Sequence, residues 1–123
     1  MELPYKTDTL EGFRKRFGSE IINYLKVDIE YSEWRAFETG LKDGSFEHVN
    51  QLVIEVHFWK GSEGSESKLD AGGINAWNKI FEALHDAKFR IWYRHTNPES
   101  SLVDFNLGFP IPCCFEIAYV KVR

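Results

Sequence analysis

The sequence lacks any apolar run long enough to span a lipid bilayer. The apolar stretch at residues 107–115 is short and is interrupted by Pro110 and Pro112, whereas a membrane-spanning helix needs about 20 apolar residues. Residues 1–6 contain no basic segment followed by an apolar run, so no signal peptide is visible there. The sequence therefore predicts no membrane segment and leaves the cellular location unknown.

Positively charged residues are also fewer than negatively charged ones. The chain has 15 Lys and Arg residues against 19 Asp and Glu residues, which gives a formal net charge of −4. No long basic run is present, and nucleic-acid-binding domains usually display a clustered basic surface. The charge balance thus argues against nucleic acid as the main partner.

Cysteine is rare, with only two residues in the chain, the adjacent Cys113 and Cys114. Neighbouring side chains in an extended strand point to opposite faces, so we expect these two not to pair with each other. Two thiols also make no disulfide framework. The simplest interpretation is that both are ordinary packed or partly exposed thiols.

The residues that are present suit one small α/β domain over residues 1–123. Hydrophobic residues make up 43% of the chain and aromatic residues 15%, which is ample material for a core. Hydrophobic periodicity predicts, in order, a helix at 10–17, a strand at 21–29, a helix capped by Ser32 that stops near 43–44, a strand at 51–59, a polar loop at 61–67, a helix at 74–87, a strand at 89–95 and a strand at 115–122. This order predicts three parallel strands and an antiparallel C-terminal hairpin strand.

Polar residues are predicted at one edge of this sheet. Ligands of open α/β sheets bind outside the carboxyl ends of the parallel strands, and an antiparallel last strand begins at that same edge. The residues expected there are Asp28 and Glu30 after the first strand, His57 after the second, His95 after the third, and the two cysteines. Convergence of carboxylates, imidazoles and thiols from four segments predicts a functional site.

Each of these residues also has a structural interpretation. Asp28 either serves a ligand site or caps the next helix, while Glu30 and Glu33 would favour the dipole of that helix. His57 is either packed or part of the site, and Glu55 either pairs with a cation or lines the pocket.

Metal binding is a further alternative. Asp28, Glu30, His57 and His95 could hold a divalent ion in a metal-dependent hydrolase, because carboxylate and imidazole suit several such ions. The sequence contains no tight ligand motif of the His-x-x-x-His kind, so we predict no metal. The aromatic faces of Trp34 with Phe37 and of Trp77 with Phe81 are expected to belong to the core.

The segment LKVDIEYSEW at residues 25–34 resembles the motif of the FkbM-type S-adenosylmethionine methyltransferases: lysine, apolar, Asp, apolar, Glu, Gly, small, Glu, and often Trp. Residues 51–58 are similar to the next strand of that family. Residues 89–98 and 113–116 resemble the closing hairpin of its animal methyltransferase-like branch. The likeness extends from about residue 8 onward, and Tyr31 stands where the family usually has glycine.

The resemblance implies a Rossmann-like methyltransferase sheet of which this chain supplies the second half, with S-adenosylmethionine as the cofactor. It places Asp28 at a strand tip that faces methyl donor and acceptor. Asp28, with Glu30 or His57, would orient or deprotonate an acceptor, whether a small molecule or a protein, at oxygen or nitrogen. These three are the catalytic residues that the resemblance implies.

The likeness is incomplete in one respect. No Gly-x-Gly loop follows a predicted strand, so the cofactor-binding residues stay unassigned and we expect little activity from this chain alone. The strand at 21–29 would lack a partner on one edge, which predicts self-association. The alternative function is a non-catalytic α/β binding or interaction module.

Overall fold

The structure, a computed structural model, describes residues 7–58, 71–103 and 108–123. The predicted loop at 61–67 lies outside these ranges. The helices are α1 (Leu10–Arg16), α2 (Glu33–Asp43) and α3 (Ala71–Asp86), with a 3₁₀ turn at Ser45–His48. The strands are β1 (Leu25–Val27), β2 (Gln51–His57), β3 (Phe89–Thr96), β4 (Leu102–Val103), β5 (Ile111–Pro112) and β6 (Cys114–Lys121).

The ends of the first two helices follow from local sequence signals. The Thr9 side chain accepts a hydrogen bond from the Gly12 N–H at 3.0 Å and so caps α1. Gly18 lies just beyond that helix in the left-handed region, at φ 65°. Ser32 precedes α2 as predicted, although its side chain makes no capping hydrogen bond, and Gly44 ends the helix at φ 78°.

A four-stranded sheet has the order β1-β2-β6-β3 and is mostly antiparallel. β1 pairs with β2 in parallel, whereas β6 pairs antiparallel with both β2 and β3. The prediction of three parallel strands is not confirmed as a set of pairings, because β6 lies between β2 and β3. These two strands run in the same direction but are not hydrogen-bonded to each other.

Two predicted segments differ from the structure in extent. The strand predicted at 21–29 is reduced to β1, preceded by an isolated parallel bridge between Ile22 and Val49. It ends early because Glu30 and Tyr31 adopt left-handed conformations and turn the chain away. Within the described ranges, the outer edge of β1 has no strand partner. The connection between β3 and β6 contains the short antiparallel pair β4–β5, which was not predicted.

The core lies between the sheet and the helices. Leu52, Ile54 and Val56 alternate along β2 and are fully buried. Rings from α2 and α3 pack over them, and Trp34 stacks on Trp77 with ring centroids 5.4 Å apart. The predicted assignment of these aromatic faces to the core is confirmed.

On β6, Tyr119 is only 3% exposed, and burial raises the pKa of its phenol to about 12. None of the described helices combines the length and the apolar character needed to cross a membrane.

We predict opposite effects of glycine at two exposed lysines of the α3 region. Lys88 follows the helix at φ 74° and donates its N–H to the His85 carbonyl, so Lys88→Gly should relieve strain and raise the free energy of unfolding by about 1 kcal/mol. Lys79→Gly, inside the helix, should lower it by about 1 kcal/mol. Urea denaturation measures both values. A loss of stability in both variants would contradict the prediction.

Candidate functional site

The turn after β1 holds two consecutive non-glycine residues in the left-handed region. Glu30 has φ 51° and Tyr31 has φ 77°, a conformation that costs about 1–2 kcal/mol for each L-residue with a side chain. Tyr31 packs against the core cluster, which offsets part of this cost. The left-handed backbone explains why glycine suits position 31 in the motif described above. The turn leaves Asp28 and Glu30 at the carboxyl edge of the sheet.

A buried carboxylate ties the start of α2 to the end of β2. Glu33 is 0% exposed, and its Oε1 accepts hydrogen bonds from the backbone N–H of His57 at 2.7 Å and from the ring Nδ1 of His57 at 3.0 Å. Trp34 donates its indole N–H to the His57 carbonyl at 2.8 Å. The expected structural role of Glu33 is therefore larger than a favourable contact with the helix dipole. It fixes the orientation of the imidazole.

The other ring nitrogen of His57 faces the two acidic residues of the turn. Its Nε2 lies 3.6 Å from Glu30 Oε2 and 3.9 Å from Asp28 Oδ1. These separations are longer than a hydrogen bond. The His57 side chain is 8% exposed, whereas that of Glu30 is 86% exposed and that of Asp28 is 37% exposed. The structure thus brings Asp28, Glu30 and His57 together.

These residues line an open cleft of about 420 Å³ at the sheet edge. Among the described residues, its lining consists of Asp28, Glu30, Glu55, His57, Asn97, Glu99, Ser100, Ser101, Cys113 and Cys114. Glu55, left open in the sequence, lines the cleft and accepts a hydrogen bond from Asn97 at 2.9 Å. Glu99, Ser100 and Ser101 were missed, because they lie in an irregular connection with no periodic pattern.

His95 is not among the described lining residues. Its Nε2 lies 3.6 Å from Glu116 Oε2 on the neighbouring strand β6. The physical reason is the strand order, since β6 separates β3 from β2 and so keeps His95 away from His57. Of the four segments predicted to meet at this edge, three line the cleft: the ends of β1 and β2, and the two cysteines. The segment of β3 contributes residues that follow the strand instead of His95.

The prediction that the two cysteines do not pair is wrong. Cys113 and Cys114 are joined by a disulfide. The alternation rule assumed that both residues belong to one extended strand, but β6 begins at Cys114 and Cys113 occupies a bend before it. The bend is held by two backbone hydrogen bonds, from the Cys113 N–H to the Ser101 carbonyl and from the Phe58 N–H to the Cys113 carbonyl.

Several residues of this site lie in a segment that matches the sequence model of a protein family. The model of the methyltransferase FkbM domain matches residues 4–91, which include Asp28, Glu30, Glu55 and His57. The chain belongs to the FkbM methyltransferase domain family. The resemblance seen in the motif at residues 25–34 is thereby confirmed.

Relatives in this family include a probable methyltransferase-like protein 24 of Rattus norvegicus, 30% identical over 98% of this chain and 33% of the rat protein. A probable methyltransferase-like protein 24 of Homo sapiens is 26% identical over 95% of this chain and 32% of the human protein. This FkbM-family chain thus spans about a third of the length of these relatives. No solved structure shows a significant match.

We predict that the hydrogen bonds from His57 in β2 to Glu33 in α2 are a main source of stability near this FkbM-family site. Glu33→Ala should lower the free energy of unfolding by about 2–3 kcal/mol, because it leaves the buried backbone N–H of His57 without its acceptor. Glu30→Ala, at an exposed carboxylate of the same turn, should change it by less than about 0.5 kcal/mol. Denaturation followed by tryptophan fluorescence compares the two. Equal losses of unfolding free energy in the two variants would show that Glu33 does not hold α2 to β2.

Proposed function

We propose that this chain is part of an S-adenosylmethionine-dependent methyltransferase domain and forms the acceptor side of its site. The observation on which the proposal rests is the meeting of Asp28, Glu30 and His57 in one cleft within the segment matched by the FkbM family. The strand order, with a reversed β6 between two strands of common direction, supports a Rossmann-like second half. Ligands of such sheets bind at this edge.

The hydrogen bonding of His57 suits a general base. Glu33 Oε1 already accepts the His57 backbone N–H, and it accepts the ring Nδ1–H as well, so the neutral imidazole presents its lone pair at Nε2. If an acceptor oxygen or nitrogen attacked the methyl carbon, the carbon–sulfur bond would break, the donor would leave as a neutral thioether, and the acceptor's proton would pass to Nε2. The resulting imidazolium lies between Glu33 and the carboxylates of Asp28 and Glu30, which stabilise its charge.

The donor, when bound, supplies an electrophilic methyl group on a positively charged sulfonium. The cleft suits that charge, because carboxylates line it and no lysine or arginine occurs among its described lining residues. Asp28 is the residue we assign to orient the acceptor, and Glu30 assists it from the exposed side of the turn. No residue of this chain is assigned to the adenosyl moiety, since no Gly-x-Gly loop follows a strand in the sequence.

We predict that S-adenosylhomocysteine binds this chain weakly and at the cleft. Isothermal titration should show no micromolar binding to the 123-residue chain, whereas amide NMR spectra at millimolar ligand should show shifts around Asp28 and His57. Asp28→Asn should remove those shifts, and Asp86→Asn at the far end of α3 should leave them.

Shifts confined to other parts of the chain would contradict an acceptor site in this cleft and would favour a non-catalytic binding module. Micromolar binding by the chain alone would contradict only the proposal that this chain has no complete donor-binding site.

The open edge of β1 supports a second part of the proposal, that this edge joins another strand. In a larger methyltransferase sheet that strand would belong to the rest of the domain, and for the isolated chain it would belong to a second copy. The edge is short, only three residues, and short unprotected edges pair weakly.

We therefore predict concentration-dependent self-association. Light scattering coupled to gel filtration should give a mass that rises with protein concentration. Tyr24→Asp should suppress the rise, because Tyr24 precedes β1 and is 57% exposed, so a charge there opposes edge pairing without disturbing the core. A monomer at all concentrations would contradict pairing of two copies.

A further inference from the structure

We propose that Asp28, Glu55 and His57 form a binding site for a divalent transition-metal cation, with Mn²⁺ the ion we expect to bind best among those that prefer oxygen-rich sites. One ligand atom from each of these residues lies within 4.8 Å of the other two. The proposal revises the expectation from the sequence of no metal and does not rest on methyl transfer. A cation on the His57 Nε2 would occupy the lone pair that accepts a proton in the reaction proposed above, so the cation and that proton exclude each other.

Strand geometry explains how β2 contributes two of the three ligands. Glu55 and His57 are two residues apart on β2, so both point to the same face. The alternating residues Ile54 and Val56 are fully buried on the opposite face. Asp28 approaches from the end of β1, which pairs in parallel with β2 and ends at the same edge. Glu55 and His57 are therefore placed by a paired strand, and Asp28 directly follows one.

The surroundings of His57 are the observation that points to a cation. Its Nδ1 lies 3.0 Å from Glu33 Oε1, so Nε2 is the ring nitrogen that faces the cleft, and the side chain is only 8% exposed. Within the described part of the chain, no hydrogen bond reaches Nε2. The Glu30 and Asp28 carboxylate oxygens lie 3.6 and 3.9 Å from Nε2.

A nitrogen lone pair and ionised carboxylates that face one another repel, and a cation between them removes the repulsion. The Glu33–His57 pair also reproduces the support that metal-binding histidines commonly receive. Such a histidine usually donates its second ring N–H to a carboxylate, which sets the tautomer and orients the ring.

Glu55 has a comparable support, because Asn97 donates to its Oε1 at 2.9 Å and leaves the other oxygen unengaged by that bond. The ligand atoms of Asp28, Glu55 and His57, which lie within 4.8 Å of one another, would draw closer around a bound cation.

The ligand set decides which class of cation fits. Two carboxylates with one imidazole suit Mn²⁺ and other first-row divalent ions, whereas Mg²⁺ prefers oxygen ligands and retains its water molecules. The exposed carboxylate of Glu30 lies 3.6 Å from His57 Nε2 but is not part of this group of three. The open cleft leaves the remaining coordination positions to water.

The test is a titration of the 123-residue chain with Mn²⁺ alone, followed by electron paramagnetic resonance, with neither methyl donor nor acceptor present. Reductant is omitted so that the Cys113–Cys114 disulfide stays intact and thiols do not compete. We expect saturable binding at one site, with spin-echo modulation from a coordinated imidazole nitrogen. Uptake that rises without saturation, or a spectrum without nitrogen modulation, would overturn the proposal.

Matched variants locate the site. Glu55→Gln keeps the shape and the hydrogen bond to Asn97 but removes the charge, and it should weaken Mn²⁺ binding about tenfold or more. His57→Ala should abolish the nitrogen modulation. His95→Ala, at the histidine that pairs with Glu116, should leave affinity and modulation unchanged.

Near-ultraviolet circular dichroism checks that each variant is folded. If folded Glu55→Gln binds Mn²⁺ as tightly as His95→Ala, the cation site is not in this cleft. That result would leave the donor-analogue titration, and hence the proposed function, unaffected.

Discussion

One buried carboxylate oxygen, Oε1 of Glu33, holds together the two elements from which the site is built. It receives both the backbone N–H and the ring N–H of His57, while the next residue, Trp34, bonds to the His57 carbonyl. The first turn of α2 is thus fastened to the last residue of β2. Because α2 follows directly from the turn that contains Asp28 and Glu30, this attachment also sets where those carboxylates lie.

The same hydrogen bonds between His57 and Glu33 explain why the left-handed turn is tolerated. Glu30 and Tyr31 occupy an unfavourable backbone region, and such conformations persist only where the surroundings over-determine them. On one side β1 is paired with β2, and on the other Glu33 is bonded to His57 at the end of that strand. The turn has no freedom to relax, so the strain is held at the tip where the acidic residues face the imidazole.

The order and type of most elements could be predicted from the sequence because hydrophobic periodicity is local. The cleft could be predicted in part, since Asp28 and His57 follow adjacent strands that end at one edge. The position of His95 could not, because strand order decides it and the periodicity of a strand says nothing about its neighbours. The cysteine pair was misjudged for a related reason: whether Cys113 belongs to β6 depends on long-range hydrogen bonds to Ser101 and Phe58.

The role of Glu33 was also beyond a pattern-based prediction. An acid in the first turn of a helix is favourable at any exposed position, and nothing local shows that this one is buried against a strand some twenty residues later. The resemblance at residues 25–34 supplied the family but not this contact. The pairing of Glu55 with Asn97 likewise joins segments that are distant in the chain.

The position of β6 in the middle of the sheet affects how the chain folds while it is being synthesised. As the chain leaves the ribosome, β1 and β2 can pair early, because only a helix and a short turn separate them. Among the strands that the structure describes, β3 then has no neighbour to bond, since its partner in the sheet is β6 rather than β2. Until β6 is synthesised, one edge of β2 and both edges of β3 are exposed to other chains. Such non-local pairing slows folding and lengthens exposure to aggregation, so the nascent chain depends on β6 to close the sheet.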